Sequence, residues 1–262
     1  MNIRLGWLRY VALMLSVLFL SGCASSDKWG WYVISPTTKQ GRINIEFLLS
    51  GIGWTIAITI CCVLASIVVG FALYLLWVGE NRWLRLVYRG TVEVLRSIPP
   101  LVSILWVYYG LPVLTGWDFN PFVSGVFALS LYGAAFMAEI YRGGVQSIER
   151  GQFEAADALA LTMYDKMRYV IFPQALRRSL PAMGNQFVIL LKMSSLVSVI
   201  GLTEVVRRAN ELAVTEYRPL EIYTFLVLEY LVLVLALSAA VRWVERRLGA
   251  DESGGSSRAM HE

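Results

Sequence analysis

The chain has 262 residues, a formal net charge of +4, 57% hydrophobic residues and only 16% charged ones, with a mean hydropathy of +0.58. Soluble domains carry about 25% charge, so this composition excludes an ordinary soluble domain and indicates an integral membrane protein. A pI near 9.0 in such a chain reads as a topology signal and not as a nucleic-acid surface.

In chain order, Arg4 and Arg9 precede the apolar run Val11–Leu20, which ends in SGCASS. This is a basic region, a short apolar region and a small-residue site, the pattern of a signal segment over residues 1–23. LSGC (Leu20–Cys23) resembles a bacterial lipoprotein box with Cys23 as the lipidation candidate; the other reading is an uncleaved extra hydrophobic helix. Both put residue 24 outside the cytoplasm. Residues 24–46, with Pro36, Thr37 and Thr38, read as an external polar linker. Phe47–Gly79 then carries no charge and predicts a helix over about 50–78, enough to cross a core of ~30 Å. Residues 79–97 read as a loop. Further spans are predicted over about 98–114, opened by Pro99-Pro100, then 122–141, 186–202 with Lys192, and 221–243 with Glu229. Residues 249–262 are polar and Gly/Ser-rich, a disordered tail that contains the single histidine, His261.

Basic residues set the orientation. They crowd into residues 79–97 (Arg82, Arg85, Arg89, Arg96), 142–181 (Arg142, Arg150, Lys166, Arg168, Arg177, Arg178) and the C-terminal tail (Arg242, Arg246, Arg247, Arg258). They are absent from TGWDFNP and sparser over 24–46 and 203–219. The bias predicts five core helices with the linker outside and the C-terminus cytoplasmic.

Residues 142–181 would then form a long polar cytoplasmic segment. Glu154–Met167 has no Gly or Pro and predicts a helix. Gly151 is expected at its N-cap and Glu154 in its first turn, where the helix dipole favours a carboxylate. Ala155, Ala156, Ala158 and Ala160 make it narrow. Pro173 and Pro181 are expected to mark boundaries. The residues leave two readings open: a thin helix that docks into another protein, or an amphipathic helix lying on the membrane.

A resemblance separates them. AEIYRGGVQSIERGQFEAADAL (Ala138–Leu159), FPQALRRSLPAMGNQFVILLK (Phe172–Lys192) and SSLVSVIGLTEV (Ser194–Val205) resemble the EAA-type loop and flanking helices of permease subunits in bacterial ABC importers. The likeness is to the polar amino acid group, which takes up histidine, glutamine, glutamate, arginine and related solutes. RSIPPLVSILWVYYGLP (Arg96–Pro112) is similar to that group's segment leading into its second core helix. The match covers about residues 45–245 in order and spacing. It implies an all-α, type I importer fold with a cytoplasmic coupling helix, and places Gly151, Glu154, Ala155, Ala156 and Ala160 at the end that docks on the ATP-binding subunit. It implies as partners a dimer of ATP-binding subunits, a second permease subunit (the same or a sister chain), a periplasmic or surface substrate-binding protein and a polar amino acid, all at the bacterial inner membrane. Two positions depart from the pattern. The usual Gly six residues after the Glu is Ala160, expected to keep the helix straight, and the usual polar residue after the Lys is Met193.

The chain has no GK[ST] phosphate loop, nucleophile–base set or metal-ligand cluster, so it reads as a transport subunit and no enzyme; ATP and Mg²⁺ belong to the partner ATPase. Adjacent Cys61 and Cys62 read as inert buried thiols. Ionisable groups at membrane depth are costly and default to functional candidates. Lys192 and Glu229 are therefore substrate-pathway candidates, with Ser194 and Ser195 as hydroxyl donors or as partners of their own helix. Glu139–Arg142 and Glu93–Arg96 read as local helical pairs. The alternatives are a permease for a related small solute such as an opine or quaternary amine, or a non-transporting lipid-anchored scaffold. The scaffold leaves residues 142–181 without a role.

Overall fold

A computed structural model of the chain describes residues 29–79 and 81–247. Cys23 with the signal-like segment, and the tail with His261, lie outside the described residues. Among the described residues every regular element is helical. They are α1 (Lys39–Leu49), α2 (Ile52–Val78), α3 (Arg82–Ser97), α4 (Pro100–Leu105), α5 (Leu111–Thr115), α6 (Pro121–Gln146), α7 (Arg150–Ala158), α8 (Met163–Asp165), α9 (Phe172–Met193), α10 (Val205–Glu216) and α11 (Pro219–Arg247). π-type turns Trp106–Gly110 and Lys166–Ile171 and 3₁₀ turns Trp31–Ile34 and Ser194–Ile200 complete the elements of the described residues.

Among the described residues four stretches are long and apolar enough to cross a membrane: Lys39–Val78, Pro121–Gln146, Met163–Ile200 and Pro219–Arg247. The fifth expected span is a broken one. Arg82–Ser97 and Pro100–Thr115 meet at 97°, because Ile98 and Pro99 are extended and Pro100 can only begin a helix.

Several boundaries differ from the sequence expectation. The supposed linker contains α1, which Thr38 caps by accepting the Gly41 N–H at 3.0 Å. Buried Asn44 on α1 donates to Val33 O (3.0 Å) and Glu216 Oε1 (3.1 Å), tying this end of the chain to α10. Residues 79–97, expected as a loop, are mostly α3. Asn81 caps it, Tyr88 and Val92 one turn apart face the bundle, and its arginines occupy the neighbouring strip. Residues 203–219 hold α10 instead of a loop. Pro173 starts α9 and Pro181 lies inside it, so the fourth span begins near Phe172 instead of 186. A proline removes one backbone donor and crowds the preceding turn, but α9 packs on α6, α11 and α2, and tertiary contact carries it through.

Small residues hold the bundle together. In lipid no water is expelled between helices, so close van der Waals approach does the joining. On the α2–α6 seam a Cβ at Gly133 would lie 2.3 Å from Ser66 Oγ, and Ser66 in turn donates to Ser130 O at 3.2 Å. Ile58, Ile104, Leu129 and Val197 fill one core region, and Tyr74, Met137, Tyr141 and Met183 another. α11 is the exception: little of its apolar stretch is fully buried, and the face turned from α9 and α10 is exposed, where lipid or a second chain can meet it.

Candidate functional site

The segment between α6 and α9 is a built structure. Arg178 donates to Ser147 O, Gln174 Nε2 to Gln152 Oε1 at 3.0 Å, and Lys166 pairs with Asp157. Ile148, Ile171 and Ala175 form a small apolar base beneath it. α7 rises from this base as an exposed helix of 9 residues.

Its details correct the sequence expectation. The N-cap is Glu149, not Gly151, and Gly151 is the second helical residue with open space around it. The helix begins at Arg150, so Glu154 sits in the second turn, exposed and away from the strongest part of the dipole. Ala155 is exposed, but Ala156 is 1% exposed and faces the base, so it supports the helix from within. The helix does not reach Met167. It stops at Ala158, and Ala160 has φ 51°. Ala160 N–H donates to Asp157 O at 2.9 Å and Leu161 N–H to Ala156 O at 3.2 Å. This is a Schellman C-cap, in which the residue after the cap must be left-handed and is most often glycine. The position usually held by Gly is thus a turn even where the residue is Ala, at a cost of about 1 kcal/mol. Leu159, 73% exposed, crowns the end of the helix beside it.

The membrane candidates divide into two sets. Lys192 and Ser195 line an open groove of about 510 Å³ with Tyr230, Leu226, Val227 and Leu231. Lys192 is exposed there and has no carboxylate within ion-pair distance among the described residues. Ser195 Oγ is spent on Lys192 O (2.7 Å) and Ser194 Oγ on Leu191 O (2.7 Å), the back-bonding alternative. Ser194 is fully buried and does not line the groove.

Glu229 turns the other way. It is 6% exposed, neither carboxylate oxygen has a hydrogen-bond partner among the described residues, and it lies near enough to Glu204 for the two charges to interact. Glu204 was not singled out by the sequence, because 203–219 reads as a polar loop. Its local signal is that it stands directly before α10 as an N-cap. Its Oε1 accepts the Arg207 N–H at 2.8 Å and its Oε2 accepts from Tyr230 OH at 3.2 Å. Thr55 Oγ1 accepts the Val205 N–H beside it at 3.3 Å. Burial pushes the Glu204 carboxyl up to about 7, outweighing the stabilising bonds from Val206 and Arg207 N–H, Tyr230 and Thr55. This polar knot joins α2, α10 and α11.

At the other end of the spans, Arg142 grips Glu139 through Nε (3.0 Å) and Nη2 (2.7 Å), the local pair the sequence suggested. Tyr88 OH also donates to Glu139, at 2.5 Å. The expected Glu93–Arg96 pair does not form: Arg96 reaches across to Glu139 at 4.0 Å and covers the Phe136 ring.

This geometry can be set beside known proteins. Residues 63–250 match the family described as binding-protein-dependent transport system inner membrane component. The glutamine transport system permease protein GlnP of Escherichia coli (strain K12) is 35% identical over 227 residues, covering 84% of this chain and 98% of that one. The arginine transport system permease protein ArtQ of Bacillus subtilis (strain 168) is 36% identical over 212 residues, 80% and 95% of the two chains. Among solved structures, an amino acid ABC transporter with histidines superposes with a TM-score of 0.74 at 35% identity, over 79% of this chain and 96% of that one. The MetNI methionine ABC transporter, in inward-facing conformations, shares the fold with a TM-score of 0.68 at 23% identity. With four to five span-length units among the described residues, an exposed helix on a tethered base and a match across most of its length, the chain belongs to the family of inner membrane components of binding-protein-dependent transport systems.

Proposed function

We propose that the chain is the permease subunit of an ATP-driven importer that carries polar amino acids across a bacterial inner membrane by alternating access. The observation that carries this reading is α7: an exposed, capped helix held on a rigid base, within a chain whose relatives over nearly their whole length are amino acid permeases. Glu154, Ala155, Leu159 and Ala160 form its free surface and dock on an ATP-binding subunit, with Gly151 at its start; Ala156 holds the helix from below. The chain performs no chemistry of its own. ATP and Mg²⁺ act on a dimer of partner subunits, whose closure moves α7 and switches a pair of permease chains between inward- and outward-facing states. A binding protein delivers substrate on the outer side. The distribution of arginines supports a cytoplasmic α7 and C-terminus with α1 at the outer face.

Lys192 is the residue best placed to meet a substrate carboxylate, since it faces the open groove without a counter-ion. Ser195 shares the groove, whereas Ser194 and Glu229 are turned inward and act on packing. The test is ATP-dependent uptake of labelled amino acids in liposomes that hold the chain, its ATPase and its binding protein. Glu154→Lys should abolish both uptake and co-purification of the ATPase while the permease remains inserted. Normal uptake by this variant would remove α7 from the docking role.

A further inference from the structure

We propose that the cleft between α3 and the ends of α2 and α6 binds the phosphate headgroup of an anionic phospholipid. The inference rests on the membrane reading but not on the transported solute. The cleft has a volume of about 500 Å³, with Trp77, Tyr88, Arg89, Arg96 and Arg142 in its wall together with Glu93 and Glu139. Glu139 is already spent on Arg142, Tyr88 and Arg96. Arg89 stands 5.2 Å and Arg85 5.7 Å from the centre of the Trp77 ring, and neither has a carboxylate within 4 Å among the described residues. Arg85 uses its Nε on Gly79 O at 3.0 Å, which leaves its terminal nitrogens free. Among the described residues that line the cleft, Glu93 is the one carboxylate left to oppose them, and it stands one turn along α3 from Arg89.

A guanidinium offers donors in a planar fork that fits two oxygens of a phosphate, and stacking on Trp77 holds that fork in place at little entropic cost. The cleft therefore has a surplus of positive charge and oriented donors. The rest of α3 argues for a lipid as the source of the phosphate. Trp83, Val87 and Val94 form an exposed apolar strip on the same helix, adjoining the arginine strip and suited to acyl chains. Basic clefts of this kind between spans, at the level where helices end, match anionic headgroups.

The probe is spin-labelled phosphatidylglycerol against spin-labelled phosphatidylcholine, with the full chain in phosphatidylcholine bilayers. The expected result is a clear preference for the anionic lipid, lowered about five-fold for each guanidinium removed in Arg85→Gln and Arg89→Gln. Arg246→Gln with Arg247→Gln, two arginines near the end of α11, should leave the preference intact. If the double α3 variant fails to insert, Arg89→Lys against Arg89→Gln decides: lysine should keep most of the preference and glutamine should not. Equal affinity for the two lipids overturns the proposal, and so does equal loss in the α11 variant. Displacement by inorganic phosphate at comparable concentration would show a soluble anion site instead, as would masking by a second copy of the chain show a protein interface, and either result also overturns it. Uptake is not the readout, so failure here leaves the permease reading untouched.

Discussion

At the scale of single residues, two positions have measurable consequences. Ala160 pays for a left-handed backbone that glycine would adopt freely. Ala160→Gly should raise stability by about 1 kcal/mol, as read from the thermal midpoint of the detergent-solubilised chain. A lower midpoint would mean that the Schellman cap does not form. Glu204 makes a pH prediction. Its folded carboxyl titrates at about 7 against an ordinary value of 4.5, so the fold favours the protonated form. That contribution is complete below about 4.5, declines as pH rises through the window and is gone above about 7, a loss on the order of 3 kcal/mol. The thermal midpoint should fall across this window in the wild type and stay flatter in Glu204→Gln. A midpoint that rises with pH would contradict the assignment. Neither residue advertised itself: alanine is a helix former in isolation, and Glu204 looks like one more loop charge until Tyr230 and Thr55 close over it.

At the scale of elements, the α2–α6 seam depends on side chains that are absent. Gly133 lets Ser66 approach, and a larger residue there must push two spans apart. Gly133→Leu should destabilise the bundle by at least about 2 kcal/mol and expose the α6–α9 segment to limited proteolysis, whereas Gly143→Ala, where a Cβ meets nothing within 4 Å, should be silent. Equal protease resistance in both variants would rule out the seam as a close contact. The spans were legible as elements because an uncharged run such as Phe47–Gly79 is self-evident. The short amphipathic helices were less so. α3 mixes four arginines with its apolar residues, and α10 has a polar outer face, so neither differs in bulk composition from a loop.

At the scale of the whole molecule, apolar surface remains open on the single chain. α11 leaves one apolar face exposed along its length, and the cleft lined by Val102, Trp106, Phe127 and Tyr132 is open as well. Lys192 faces a groove that a second chain could close. Native mass spectrometry of the chain co-expressed with its ATPase should therefore give two permease chains and two ATPase chains. One permease chain with two ATPases would exclude pairing. The placement of Lys192 and Ser195 together was legible, since they are three residues apart, one at the end of α9 and one in the helical turn that continues it. The inward turn of Glu229 was not, because which face of α11 meets the bundle depends on α10, which the sequence reading did not anticipate.

By itself the sequence determined that the chain enters a membrane, where most of its spans lie, and which segment stands out as polar and ordered. These follow from sums over contiguous residues: the free energy of placing a run in lipid accumulates along the run, and Lys and Arg counts bias its direction. Only the tertiary structure decided where α7 ends, that Pro181 continues a helix, that α3 and α10 exist, and that Glu204 and Glu229 lie together out of solvent. Each of these is settled by groups distant in sequence that pack against or bond the position, and a propensity of a few tenths of a kcal/mol yields to them.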